Sequence, residues 1–114
     1  MRSALHGVRP DLVEPIVPDD DCLLLMKVRH SAFYATRLGY LLGQLDTRRV
    51  VITGQVTEQC ILYTALDAYV RQFEVVVAAD AVAHIDESLG AAALQMIECN
   101  MGGTLQPAAQ CLGR

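Results

Sequence analysis

The chain has 114 residues, a mass of 12.4 kDa and a formal charge of −4, and 53% of its residues are apolar types. This composition predicts a single packed domain over residues 1–114 and excludes a disordered tail. The acidic balance and the lack of a Lys/Arg run predict that the protein has no nucleic-acid partner. No apolar stretch is long enough to span a membrane, and the first residues lack a signal-peptide core. We therefore expect a cytoplasmic protein with no membrane partner.

The four cysteines are far apart and none belongs to a C-x-x-C pair; they are Cys22, Cys60, Cys99 and Cys111. No His stands at metal-finger spacing, so we expect no metal site and no cofactor. Reduced thiols are therefore the expectation for all four.

The first half of the chain predicts a lead-in, two strands and a helix. Residues 1–21 hold three of the four prolines and predict an irregular lead-in. The apolar run Cys22–Met26 predicts a buried strand, and the leucines of Thr36–Leu45 recur at helical spacing. The β-branched run Arg49–Thr53 predicts a second buried strand, which Gly54 ends.

The second half continues the alternation of helices and strands. Thr57 is a candidate N-cap for a helix over Glu58–Arg71, with an inward face of Ile61, Ala65, Ala68 and Tyr69. Glu74–Ala79 predicts a third strand. The last helix begins at Asp86 or Ser88 and reaches Asn100, with an inward face of Leu89, Ala92, Ala93, Met96 and Ile97. Thr104–Leu105 predicts a short edge strand, and residues 107–114 predict a loose tail.

Strands that alternate with helices of ten to fifteen residues predict an α/β fold, with a parallel sheet and helices on both faces. Three or four strands are few for such a sheet, so we expect an incomplete α/β domain. Its exposed sheet edge favours association with a second chain.

Two residues follow predicted strands at the edge where open α/β sheets bind ligands. Lys27, the only lysine among nine basic residues, follows Met26. Cys60 falls third in the helix that Thr57 caps, where backbone N–H groups and the helix dipole favour negative charge. A thiolate is the attacking form of cysteine, and a nearby ammonium stabilises it. Position alone also leaves open a packing role for Cys60 and a solvated role for Lys27.

Three segments carry a family resemblance: M-K-V-R-H-S-A-F at 26–33, V-V-I-T-G-Q-V-T-E-Q-C with T-A-L-D-A at 50–68, and V-V-V-A-A-D-A at 75–81. Together they resemble the isochorismatase-like cysteine hydrolase superfamily, which includes nicotinamidases, carbamoylsarcosine amidase-type enzymes and ureidoacrylate-type amidohydrolases. The resemblance covers about residues 10–105 and implies a Rossmann-like three-layer fold.

The resemblance implies the roles of the candidate site residues. Cys60 corresponds to the nucleophile and Lys27 to the cationic member of an Asp-Lys-Cys triad. The family's non-proline cis peptide falls between Gln55 and Val56, and the N–H groups of Val56 and Cys60 correspond to the oxyanion hole. Phe33 corresponds to a substrate-pocket residue, and a role in core packing stays open for it as well. The implied reaction is hydrolysis of a small-molecule amide, and family members usually form homo-oligomers.

The chain departs from the family pattern in its N-terminal portion. The segment with the triad Asp has no counterpart, because Asp19, Asp20 and Asp21 precede the wrong strand; the metal segment of nicotinamidases has none either. A truncated chain and a carboxylate supplied by a partner chain both remain open, and the expected activity of this chain alone is impaired. Two other functions also stay open: a vinyl-ether hydrolase acting on isochorismate, and a non-catalytic binding or assembly module.

Overall fold

The computed structural model describes residues 7–14 and 17–112. Five helices and three strands form these ranges, and a π-helical turn, Thr57–Ile61, opens the third helix. The elements are α1 (Pro10–Val13), α2 (Leu38–Gln44), β1 (Arg49–Gln55), α3 (Thr57–Ile61 continuing through Leu62–Val70), β2 (Glu74–Ala83), α4 (Glu87–Asn100), β3 (Thr104–Gln106) and α5 (Ala108–Cys111). None of these helices is long and apolar enough to cross a lipid bilayer.

The three strands form one parallel sheet in the order β1–β2–β3. β1 and β2 pair from Arg49 opposite Glu74, and the register shifts between Ile52 and Gly54, where Gly54 has a φ of 111°. Glycine adopts this left-handed backbone conformation without steric strain, because it has no Cβ atom. β1 therefore continues two residues beyond its predicted end at Thr53.

The core lies on both faces of β2, because successive strand residues point to opposite sides. Val75 and Val77 pack with α3 and α4 in one cluster, whereas Val76 and Ala78 pack with Cys111 of α5 in the other. Helices therefore cover both faces, which confirms the predicted α/β class.

The predicted strand Cys22–Met26 does not form, so that prediction was wrong. These residues lack strand hydrogen bonding, and the side chains of Leu24 and Met26 are 75% and 91% exposed. A buried parallel strand needs a neighbouring strand and a layer over each face. Within the described residues β1 pairs only with β2, so the apolar run has neither.

The helix that carries Cys60 begins differently from the prediction. Val56 is the N-cap, Thr57 is the first helical residue, and the Ile61 N–H donates to the Val56 carbonyl, five residues back, at 3.1 Å. Thr57 caps nothing, because its Oγ1 is buried without a hydrogen-bond partner among the described residues. Cys60 is therefore the fourth residue of the helix and not the third, although it still lies in the first turn.

Other sequence expectations failed at the helix faces and the chain ends. Tyr69, Leu89, Ala92 and Met96 are exposed, because the sheet beneath α3 and α4 covers a narrower stripe of each helix than the sequence spacing suggested. The expected loose tail contains α5 with Cys111 buried, and the irregular lead-in contains α1; residues 1–6, 15–16 and 113–114 lie outside the described residues.

Two carboxylates fix the connection between β2 and α4. Asp86 is the N-cap of α4 and accepts hydrogen bonds from the Leu89 N–H at 2.9 Å and the Ser88 hydroxyl at 2.7 Å. Glu58 of α3 accepts from the N–H groups of Ile85 and Asp86, the latter at 2.7 Å. The hydrogen bond from the Asp86 N–H is the main cause that lowers the pKa of Glu58, and the Leu89 N–H likewise lowers the pKa of Asp86.

We expect Thr57→Val to raise the free energy of unfolding by about 1–3 kcal/mol, the cost of an unsatisfied buried polar group that the isosteric methyl removes. Urea unfolding measures this change, with Thr57→Ser as the control that keeps the hydroxyl. A loss of stability in T57V would show that the hydroxyl has a hydrogen-bond partner.

We expect the chain to lose stability as the pH falls below about 4.5, the ordinary Glu pKa. Because folding lowers the pKa of Glu58, its carboxylate stabilises the fold at pH values above the unfolded-state pKa. This stabilisation is lost as the pH falls through the folded-state pKa. Glu58→Gln should therefore destabilise the chain more at pH 7 than at pH 3, as measured by urea unfolding. Glu98→Gln, on the exposed face of α4, is the control; an equal loss for E58Q at both pH values contradicts the assignment.

Candidate active site

Lys27 and Cys60 meet at one end of the sheet, 33 residues apart in the chain. The Lys27 Nζ lies 3.6 Å from the Cys60 Sγ and donates a second hydrogen bond to the Arg29 carbonyl at 3.2 Å. They border an open cavity of about 340 Å³, whose described lining is completed by Val28, Arg29, His30 and Gln59. The ammonium faces the sulfur directly, in a region that solvent reaches.

The loop after Lys27 is tied to α3, the same helix that carries Cys60. The Ser31 hydroxyl donates a short hydrogen bond to the Asp67 carboxylate, and the Ala32 N–H donates to the Thr64 hydroxyl at 3.0 Å. Ser31 and Ala32 belong to the S-A-F motif, whereas Thr64 and Asp67 belong to the T-A-L-D-A motif. The two motifs therefore form one contact, which fixes the Lys27 loop against the helix.

Asp67 receives a second partner from its own helix. Arg71 forms an ion pair with Asp67 at 2.9 Å, and its guanidinium lies 4.6 Å from the centre of the Phe33 ring. Phe33 lines a separate cavity of about 440 Å³ with Leu38, Leu42 and Thr64, and its role as a substrate-pocket residue stays a prediction. Phe33 is 5% exposed, belongs to the core cluster and lies outside the described lining of the cavity at Cys60.

The backbone before Cys60 has the expected unusual peptide. The bond between Gln55 and Val56 is cis, at the position that the sequence analysis indicated. The Val56 carbonyl accepts the N–H groups of Gln59 and Ile61, at 3.0 and 3.1 Å, and is thereby turned into the helix start. Val56 and Cys60 are both partly exposed at the cavity end of α3.

Sequence reasoning did not identify Arg29 and Gln59 as lining residues. Arg29 is two residues after Lys27 and Gln59 directly precedes Cys60, so their closeness to the two candidates was the available signal. His30 also lines this cavity, and its ring makes an edge contact with Tyr63 of the adjoining cleft at 5.7 Å between centroids.

The described residues offer no metal centre near the site. Over residues 7–14 and 17–112, no three side chains of the His, Cys, Asp and Glu types are grouped to hold an ion. The four cysteines are all unpaired thiols.

Comparison with known proteins places this geometry in a family. A model described as Isochorismatase domain matches residues 6–110. The isochorismatase family protein YaaI of Bacillus subtilis (strain 168) is 39% identical over 88 residues, which are 77% of this chain and 49% of that protein. Ureidoacrylate amidohydrolase RutB of Methylorubrum extorquens is 37% identical over 70 residues, 61% of this chain and 28% of that protein.

Solved structures agree with the sequence comparisons. Nicotinamidase PncA from Bacillus subtilis superimposes with a TM-score of 0.76 at 28% identity, over 88% of this chain and 55% of that one. N-carbamoylsarcosine amidase from Thermoplasma acidophilum gives a TM-score of 0.77 at 29% identity, over 86% and 55%. The chain thus spans about half the length of these structures and of YaaI. A parallel sheet with Lys27 and Cys60 at one end, together with a family match over residues 6–110, shows that the chain belongs to the isochorismatase family.

Proposed function

We propose that this chain is a cysteine hydrolase that cleaves the C–N bond of a small-molecule amide. The observation that carries the proposal is the contact of 3.6 Å between the Lys27 ammonium and the Cys60 sulfur. Relatives whose names state a reaction support the amide: ureidoacrylate amidohydrolase, nicotinamidase and N-carbamoylsarcosine amidase.

The proposed reaction uses Cys60 as a covalent nucleophile. Its thiolate, stabilised by Lys27, attacks the amide carbonyl carbon and forms a C–S bond, while the N–H groups of Val56 and Cys60 hold the developing oxyanion. The tetrahedral intermediate collapses with loss of the C–N bond, and the proton that Cys60 released on forming the thiolate is transferred to the departing amine. Water then attacks the thioester, releases a carboxylic acid and restores the thiol.

Proton transfer to the leaving amine is the step that this chain supports least. Among the described residues, the lining of the cavity includes no carboxylate, and the nearby carboxylate of Glu58 is occupied by two backbone N–H groups. Without a general acid–base, we expect acylation to be slower by about 10²–10⁴-fold. A carboxylate supplied by further sequence or by a partner chain restores this factor in the proposed mechanism.

Two rival functions are separated from the amidase by direct assay. A panel of nicotinamide, an N-carbamoyl amino acid, ureidoacrylate and isochorismate distinguishes amide cleavage from vinyl-ether cleavage, with Cys60→Ser as the control. Release of ammonia or amine that C60S abolishes supports the amidase. Turnover of isochorismate that C60S retains identifies the vinyl-ether hydrolase. No turnover by either chain, together with no preference of iodoacetamide for Cys60, favours a non-catalytic binding or assembly module.

Association into a homo-oligomer is part of the proposal, because the outer edge of β1 has no neighbouring strand within the described residues. A single species of monomer mass in sedimentation experiments would contradict it. The cytoplasmic location and the lack of nucleic-acid and membrane partners remain predictions.

We expect iodoacetamide at pH 7 to alkylate Cys60 faster than the exposed Cys22 and Cys99, because the Lys27 ammonium lies 3.6 Å from the Cys60 sulfur. Lys27→Met, which keeps the length of the side chain, should slow alkylation of Cys60 about fivefold and leave the other two unchanged. Peptide mapping by mass spectrometry measures all three rates in one sample. Labelling spread evenly over the three thiols would rule out a tuned nucleophile.

We expect Ser31→Ala to slow the alkylation of Cys60 in the same direction as K27M, because it frees the Lys27 loop from Asp67. The effect should vanish when S31A is added to K27M, since both changes act through the same ammonium. Ser88→Ala, which removes a hydroxyl at the α4 cap, is the control. Additive effects of S31A and K27M would show that Ser31 does not position Lys27.

A further inference from the structure

The wall of the cavity at Cys60 is cationic. Of its six described lining residues, Lys27 and Arg29 are basic, His30 is an imidazole, and none is acidic. The chain as a whole has a formal charge of −4, so this concentration of positive charge is local and opposes the overall balance.

The two carboxylates of α3 have other partners. Glu58 binds the backbone N–H groups of Ile85 and Asp86, and Asp67 is shared between Ser31 and Arg71. Asp67 lines the adjoining cleft with Arg29, yet no ion pair joins them. In the part of the chain that the structure describes, the Arg29 guanidinium has no hydrogen-bond or carboxylate partner.

The two cations have different tasks. The Lys27 ammonium is directed at the Cys60 sulfur and the Arg29 carbonyl, so its charge serves the nucleophile. The Arg29 side chain is exposed at the cavity and carries a planar fork of donors that matches a carboxylate. A guanidinium beside a nucleophile, with no carboxylate partner among the described residues, is complementary to an anion.

We propose that the substrate of this site is an anionic amide, and that Arg29 binds its carboxylate while Cys60 attacks its carbonyl. This inference rests on the proposed function and adds the charge class of the substrate. A cavity of about 340 Å³ limits the ligand to a small molecule. Arg29 is thus a specificity-determining residue that selects acidic amides over neutral ones of the same size.

Iodoacetate and iodoacetamide test the charge preference without a known substrate. The two reagents have nearly the same size, and each forms a thioether on Cys60 by displacing iodide, but only iodoacetate carries a carboxylate. The measured quantity is the ratio of their alkylation rates at Cys60, in the unmodified chain, in Arg29→Gln and in Arg37→Gln. Arg37 is exposed and outside the described lining of the cavity, so R37Q controls for the change in net charge.

We expect R29Q to lower the ratio of iodoacetate to iodoacetamide rates about two- to fivefold, and the ratio cancels any change in the intrinsic reactivity of Cys60. R37Q should leave the ratio unchanged, and 1 M salt should reduce the effect of R29Q, because screening weakens exposed charge pairs. An unchanged ratio in R29Q, with Cys60 still the fastest thiol towards iodoacetamide, overturns the anionic substrate but not the hydrolase. If Cys60 is not the fastest thiol towards iodoacetamide in the unmodified chain, both the anionic substrate and the hydrolase are overturned.

Discussion

Two hydrogen bonds between the loop after Lys27 and the helix of Cys60 hold the candidate site together. Ser31 donates to Asp67 and the Ala32 N–H donates to Thr64, so the loop is fixed at two consecutive residues to successive turns of α3. A hydrogen bond to a charged acceptor contributes about 1.5–3 kcal/mol, and a neutral one about 0.5–1.5 kcal/mol. These bonds offset the entropy of ordering a loop that has no sheet to support it.

This anchoring explains why Lys27 reaches Cys60 although the residues before it form no strand. The apolar segment that precedes Lys27 is exposed, yet the ammonium still contacts the sulfur, because its position comes from the residues that follow it. α3 contributes to both sides of the contact: its first turn carries Cys60, and its later turns carry Thr64 and Asp67. A shift of the helix therefore moves the nucleophile and the anchor of its cationic partner together.

The sequence was sufficient for the parts of the fold that neighbouring residues determine. β1, β2, β3 and the cap of α4 at Asp86 form where the sequence predicted them, because β-branched runs and capping residues act locally. β2 nevertheless runs to Ala83, four residues beyond its predicted end at Ala79. The segment Cys22–Met26 could not be predicted in this way, since a buried strand depends on a distant partner. The start of α3 was also missed, because Thr57 is a good N-cap by type but is buried by tertiary packing.

The contact between Lys27 and Cys60 is the central claim, and the single lysine of the chain allows a direct measurement. Lysine labelled with ¹³C at Cε gives one NMR signal, recorded in a chain with Cys22→Ser and Cys99→Ser before and after Cys60 is alkylated with iodoacetamide. The account predicts that the signal moves on alkylation, and that it keeps its position when C60S is treated in the same way. A lysine signal unchanged by complete modification of Cys60 would show that the two side chains are apart.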